Sequence, residues 1–99
     1  MKQDPVQVDS KHYKVELEND AVRVLRVSFG PHERSPMHSH PKGLIVYLND
    51  HYSKHTDSNG RVHELRGRLG EVQWVEPTDH LTENSTSRAW QILFVELKS

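Results

Sequence analysis

The chain reads as a succession of short β-type runs, each cut off by a turn signal within about ten residues. Tyr13 to Leu17 stops at Glu18-Asn19-Asp20, and Ala21 to Phe29 (AVRVLRVSF) stops at Gly30-Pro31. Val and aromatic side chains fit the pleated, half-buried surface of a strand. Leu44 to Leu48 (LIVYL) is a continuous apolar run between Gly43 and Asn49-Asp50, which predicts a strand buried on both faces. Tyr52 to Asp57 and Arg61 to Arg66 flank Ser58-Asn59-Gly60. Asn-Gly in such a place predicts a hairpin, because both residues tolerate positive φ. Val72 to Val75 follows Gly70, and Ala89 to Leu97 (AWQILFVEL) closes the chain. Periodicity alone would allow a helix there, but its aromatic and β-branched content selects strand. No middle segment has the pattern of a long amphipathic helix. An all-β barrel or sandwich of two antiparallel sheets is expected.

With 99 residues there is room for one domain, assigned to 13–99. Residues 1–12 are read as an N-terminal arm, either loose or paired with the sheet edge of another subunit. Only 33% of the residues are hydrophobic, so the core must be thin. A thin core leaves stability to be supplied by a bound ion or a second subunit. A homodimer is expected, since unpaired sheet edges need cover, with Val6 to Tyr13 as the candidate exchanged strand. Thirteen basic and 14 acidic residues are spread along the chain, which argues against nucleic acid and membrane surfaces as partners. Cysteine is absent, so disulfides and thiolate metal sites are excluded. The polar start lacks an apolar signal region, and no apolar run approaches the ~20 residues that span a bilayer. A soluble, cytoplasmic protein is the expectation.

Eight histidines are the unusual feature, and their positions decide their meaning. His38-Ser39-His40 lies just before the LIVYL run. Residues i and i+2 of a strand project from the same face, so both imidazoles can reach one ion. Forty residues on, Gly70 opens a strand that ends at Glu76-Pro77, and a third imidazole, His80, begins the next extended segment. His12, His55 and His63 lie in polar or hairpin segments and are read as solvated. His32 and His51 are placed at turns, with an approach to the site as the alternative.

Together these segments resemble the two motifs of the cupin superfamily. The first contains a His-x-His pair followed by Glu and framed by glycines. The second runs from Gly through Pro-x-Gly to His and then Asn. His38, His40, Gly70, His80 and Asn84 fill family positions, and GPHERSPMHSHP and FVELK look like small single-domain bacterial cupins. The resemblance covers about residues 20–98. It departs at several points: His32 and His51 replace glycines, Glu76-Pro77-Thr78 replaces Pro-x-Gly, and His80 sits one residue closer to Gly70. The metal-binding Glu is missing, with Leu44 or Ile45 in its place.

The resemblance implies a jelly-roll-like barrel holding one divalent transition metal (iron, nickel, zinc or manganese) on His38, His40 and His80. A metal-dependent dioxygenase acting on a small anionic or dicarbonyl compound is one implied function. A non-catalytic small-molecule-binding module, with or without metal, is the other. Leu44 is expected to share the inward face with the histidines. Metal affinity is expected to fall through roughly pH 6 to 5, since free imidazole titrates near 6.5 and binds metal only when neutral. Tyr47 and Trp74 are read as core or dimer contacts, with lining of the pocket as the alternative, and Gln91 as facing either the cavity or the outer surface. Glu33 and Arg34, near the barrel mouth, either meet a charged substrate or are ordinary loop residues.

Overall fold

The computed structural model describes residues 3–99, which contain a helical turn and nine strands. The turn is α1 (Pro5–Val8). The strands are β1 (Tyr13–Glu18), β2 (Val22–Phe29), β3 (His38–His40), β4 (Gly43–Tyr47), β5 (His51–Asp57), β6 (Val62–Gly67), β7 (Val72–Val75), β8 (Thr78–Glu83) and β9 (Trp90–Leu97). They form two antiparallel sheets ordered β1-β2-β9-β4-β7 and β3-β8-β5-β6. No helix among the described residues is long and apolar enough to cross a membrane.

The two sheets contribute very unequally to the interior. Every member of the buried apolar cluster comes from the five-stranded sheet: Tyr13 on β1, Leu25, Val27 and Phe29 on β2, Ile45 and Tyr47 on β4, Trp90, Ile92 and Phe94 on β9. The four-stranded sheet instead buries His38, His40, His51, Ser53 and Thr82. One wall of the interior is therefore hydrocarbon and the other is imidazole and hydroxyl. That asymmetry accommodates a low apolar content, and it gathers the imidazoles on one wall of the interior.

Alternation along the strands sets which residues face inward. On β4 the buried positions are Gly43, Ile45 and Tyr47, while Leu44 and Val46 are half-buried on the other face. The apolar run is thus not equally buried on both faces, and Leu44 does not share the histidines' side. The register is fixed by close packing at Gly43, where a Cβ would strike the Val95 carbonyl oxygen and the Phe94 ring. Gln91 is exposed, and its amide bonds Ser28 Oγ and Arg26 on the outer face of the sheet, away from the cavity.

The β5–β6 hairpin forms where Asn59-Gly60 predicts it, with a different turn. Only Gly60 has positive φ there (82°), and the Gly60 amide donates to the Asp57 carbonyl at 3.0 Å. A first turn with ordinary dihedrals followed by one left-handed glycine is the longer-loop solution, so Asn59 needs no positive φ.

Residues 3–12 fold back on their own chain, and residues 1 and 2 lie outside the described residues. Asp4 caps α1 by accepting from the Val6 amide at 3.0 Å, and buried Pro5 occupies its first turn. The Asp4 carboxylate also grips the Arg23 guanidinium with two bonds of 3.0 Å. His12 is not solvated: it stacks on Phe29 at 4.0 Å with each ring nitrogen against a carboxylate, Asp9 and Glu33. Val6 to Tyr13 is accordingly a helical turn and a tight corner that leads into β1 at Tyr13, and not one continuous strand.

Candidate metal centre

His38 stands directly across from His80 in the β3–β8 register, and His40 follows two residues along on the same face. The three ring centroids are 4.7, 5.0 and 5.1 Å apart, and one nitrogen from each lies within 4.8 Å of the others. Nitrogens sharing one ion at about 2.1 Å sit roughly 3–3.4 Å from one another, so modest ring tilts complete a shared site. The three residues singled out in the sequence are brought together.

Their hydrogen bonds orient the lone pairs. His38 Nδ1 donates to the Pro36 carbonyl at 2.9 Å, which leaves Nε2 as the lone-pair nitrogen. That lone pair receives the Tyr13 hydroxyl at 3.1 Å. His80 Nε2 is buried with no partner, as is His40 Nδ1. A buried nitrogen without a partner is costly unless something binds it. The donor set fits a divalent transition ion: three imidazoles, no thiolate, and a phenol beside them.

All three imidazoles are held neutral, as ligands must be. Burial lowers His38, and burial followed by the neighbouring His38 and His55 rings lowers His40 well below the ordinary range. His80 is also lowered well below the ordinary range, by burial first and then by His55, His40 and His38.

Two residues expected elsewhere join this wall. His55 is partly buried with its ring 4.5 Å from His80, and His51 is buried against Trp90 at 4.1 Å. Ser53 Oγ lies 2.8 Å from both His51 Nε2 and His55 Nε2. One hydroxyl proton serves both contacts, so Ser53 donates to one ring and accepts from the other. Burial pushes both imidazoles down to about 4. His63 is the exposed one, with 62% of its side chain accessible, and it pairs with Asp57. His32 is exposed at a turn with φ of 61°, a conformation that explains why a glycine suits that place.

The centre opens into a cavity of about 390 Å³. Ile45, Ile92 and Phe94 form its apolar side, and half-exposed Trp74 stands at its edge. Of the two candidates for the place of the motif Glu, Ile45 faces the cavity and Leu44 does not. Among the lining residues Asp57, Glu64 and Glu76 are acidic, and none is Lys or Arg. Glu33 and Arg34 do not line it. The Glu33 carboxylate is held at about 2 by Lys11, with the Gly30 amide and His12 adding to the effect.

Asn84, the last motif residue, is structural. It is fully buried, its amide donates to the Gly30 and Arg88 carbonyls at 3.0 and 2.8 Å, and its oxygen accepts from Thr86. Tyr13, His51 and His55 were not legible as site residues. Tyr13 offered no signal beyond opening a strand, while the i, i+2, i+4 spacing of His51, Ser53 and His55 on one strand was available.

No family model and no curated protein matches the sequence. Solved structures do match. A cupin domain from Bordetella pertussis superposes with a TM-score of 0.80 at 18% identity, covering 88% of this chain and 92% of that one. A protein from Klebsiella pneumoniae with a double-stranded β-helix domain gives 0.68 at 20% identity over 86% and 74%. A cupin 2 conserved barrel domain protein from Salinispora arenicola gives 0.65 at 15% identity over 93% and 80%. The chain has the cupin fold.

Proposed function

We propose that this protein binds one divalent transition metal on His38, His40 and His80 and works as a metal-dependent oxygenase. Its substrate is a small, mainly apolar compound that chelates through two neighbouring oxygens, as a dicarbonyl or its enolate does. The observation that carries the reading is the convergence of three imidazoles held neutral, two buried and one half-buried with an orphaned lone pair, beside a mainly apolar cavity that His40 and His80 line. When bound, an ion held by neutral ligands keeps its full +2 charge and polarises chelated oxygens. The chain's own residues do the rest. Ile45, Ile92 and Phe94 exclude water, and the Pro36 carbonyl fixes the His38 tautomer. The Tyr13 hydroxyl holds the His38 Nε2 lone pair and would have to turn away from it for His38 to serve as a ligand. With no Lys or Arg lining the cavity, a separate carboxylate or phosphate on the substrate has nothing to pair with. The dicarbonyl class is favoured over simple anions on that ground.

The test is metal content of protein made without a His tag, followed by oxygen uptake of the iron-loaded form. Uptake is expected with β-diketones and not with di- or tricarboxylates. Metal bound at one per chain without uptake on any chelating compound would leave a binding module and overturn the enzyme.

A homodimer is proposed as well. β6 and β7 are edge strands of the two sheets, and Val62, Leu69, Val72 and Trp74 on or beside them are all about half exposed or more. Unpaired edges carrying apolar side chains are surfaces that a second copy would cover. Sedimentation at micromolar concentration should report a dimer, and a monomer there would remove the idea.

A further inference from the structure

Glu96 is a buried carboxylate that the ligand set does not use. It is 5% exposed, and its Oε1 accepts from Arg23 Nε at 2.7 Å. Its Oε2 has no partner. The atom facing it is His40 Nδ1, also buried and also without a partner, 3.9 Å away. A lone carboxylate oxygen and a lone imidazole nitrogen are each expensive to bury, and here they are buried against each other.

From this juxtaposition we propose that Glu96 is the outer carboxylate of the metal centre, accepting a hydrogen bond from His40 Nδ1 and aiming His40 Nε2 at the ion. It rests on the metal reading above. Closing the gap by about 1 Å through side-chain rotation gives a charge-assisted bond of ordinary length. The bond fixes the Nδ1–H tautomer and makes the imidazole a more basic donor. It offsets part of the ion's charge without filling a coordination position. That is what a centre lacking a direct carboxylate can use.

The carboxylate is itself clamped. Arg23 and Glu96 are opposite each other in the β2–β9 register, and the rest of the guanidinium is held by Asp4, the cap of α1. A chain of contacts Asp4–Arg23–Glu96–His40 therefore ties the first turn of the protein to a ligand. Glu96 is a positioning residue, since it acts through His40.

Glu96→Gln keeps the size of the side chain and an acceptor for Arg23, but cannot present an anion to His40. Cobalt(II) titration at fixed pH is the probe. The variant should bind cobalt 10- to 100-fold more weakly than the parent, with an altered visible spectrum, whereas an ordinary structural ion pair would change only the melting temperature. Equal affinity and an unchanged spectrum would overturn the proposal. Nitrogen-15 NMR of the parent supplies a reading that needs no variant and no metal. His40 should be the Nδ1–H tautomer, and the Nε2–H tautomer would overturn the assignment even if Glu96→Gln does not fold. A parent that binds no cobalt while His40 is Nδ1–H defeats the metal reading and leaves the Glu96 contact standing.

Discussion

Alanine in place of His38, His40 or His80 is expected to take bound metal from one ion per chain to almost none, each change acting alone. Three ligands are few, and removing one leaves two imidazoles around an ion that must give up water to bind them. The loss should also appear as stability. An ion at 1,000 times its Kd stabilises the parent by about 4 kcal/mol, and that increment should vanish in all three variants. His32→Ala and His63→Ala are the controls, since both side chains are exposed and neither lines the metal triangle. His12→Ala should keep the metal yet lower the melting temperature, because it removes a buried ring stacked on Phe29. Identical behaviour of all six variants would dispose of the site.

The same metal measurement has a defined pH course. Metal and proton compete for one lone pair, and burial lowers the affinity of His38, His40 and His80 for the proton. Release should therefore begin below the pH 6 to 5 window expected of ordinary imidazoles. The fold sets the lower limit. His51 and His55 are neutral in the folded chain down to about 4, whereas in the unfolded chain they titrate near 6.5. Their contribution to stability is complete above 6.5 and is lost as the pH falls through 4. Metal loss should consequently merge with acid unfolding between these values instead of preceding it. Clean release at pH 6 from a protein that stays folded would contradict the lowered proton affinity of the three ligands.

Much of this was legible in the sequence for identifiable reasons. Strand runs and turn residues act locally, so β2, β7, β9 and the hairpin at Gly60 fell within a residue or two of their places. His38, His40 and His80 were legible because a two-residue spacing and a motif both pointed to them. Burial was harder. His12 and His51 looked polar and turn-like, yet each is packed on an aromatic ring from a distant strand, Phe29 and Trp90. Helical turn α1 was missed although Asp4-Pro5 carries a cap and a first-turn proline, signals easily lost in a four-residue element. The inward face of β4 was not fixed by local pattern, because five consecutive apolar residues give no alternation to read. Pairing with β9 at the crowded Gly43 decides it.

That decision has a large measurable consequence. Ile45 is 6% exposed, lines the cavity and stands opposite Phe94, on whose ring His40 packs at 4.5 Å. Ile45→Glu should place a carboxylate within reach of an ion held by the three histidines. Without metal, the variant buries an anion in a hydrocarbon wall and should lose several kcal/mol, a large share of the 5–15 kcal/mol typical of a small domain. With metal, the new ligand should recover that loss and tighten binding at least tenfold, so the melting temperature becomes far more metal-dependent than in the parent. Any oxygenase activity should fall, because one open position is filled and the ion's net charge drops from +2 to +1. Leu44→Glu provides the contrast: its side chain lies half-buried on the outer face opposite Trp74 and Val95. There the change should cost about 1 kcal/mol or less and leave metal affinity untouched. If Leu44→Glu tightened metal and Ile45→Glu merely destabilised the protein, β4 would present its other face to the histidines and the site would have to be rebuilt around Leu44.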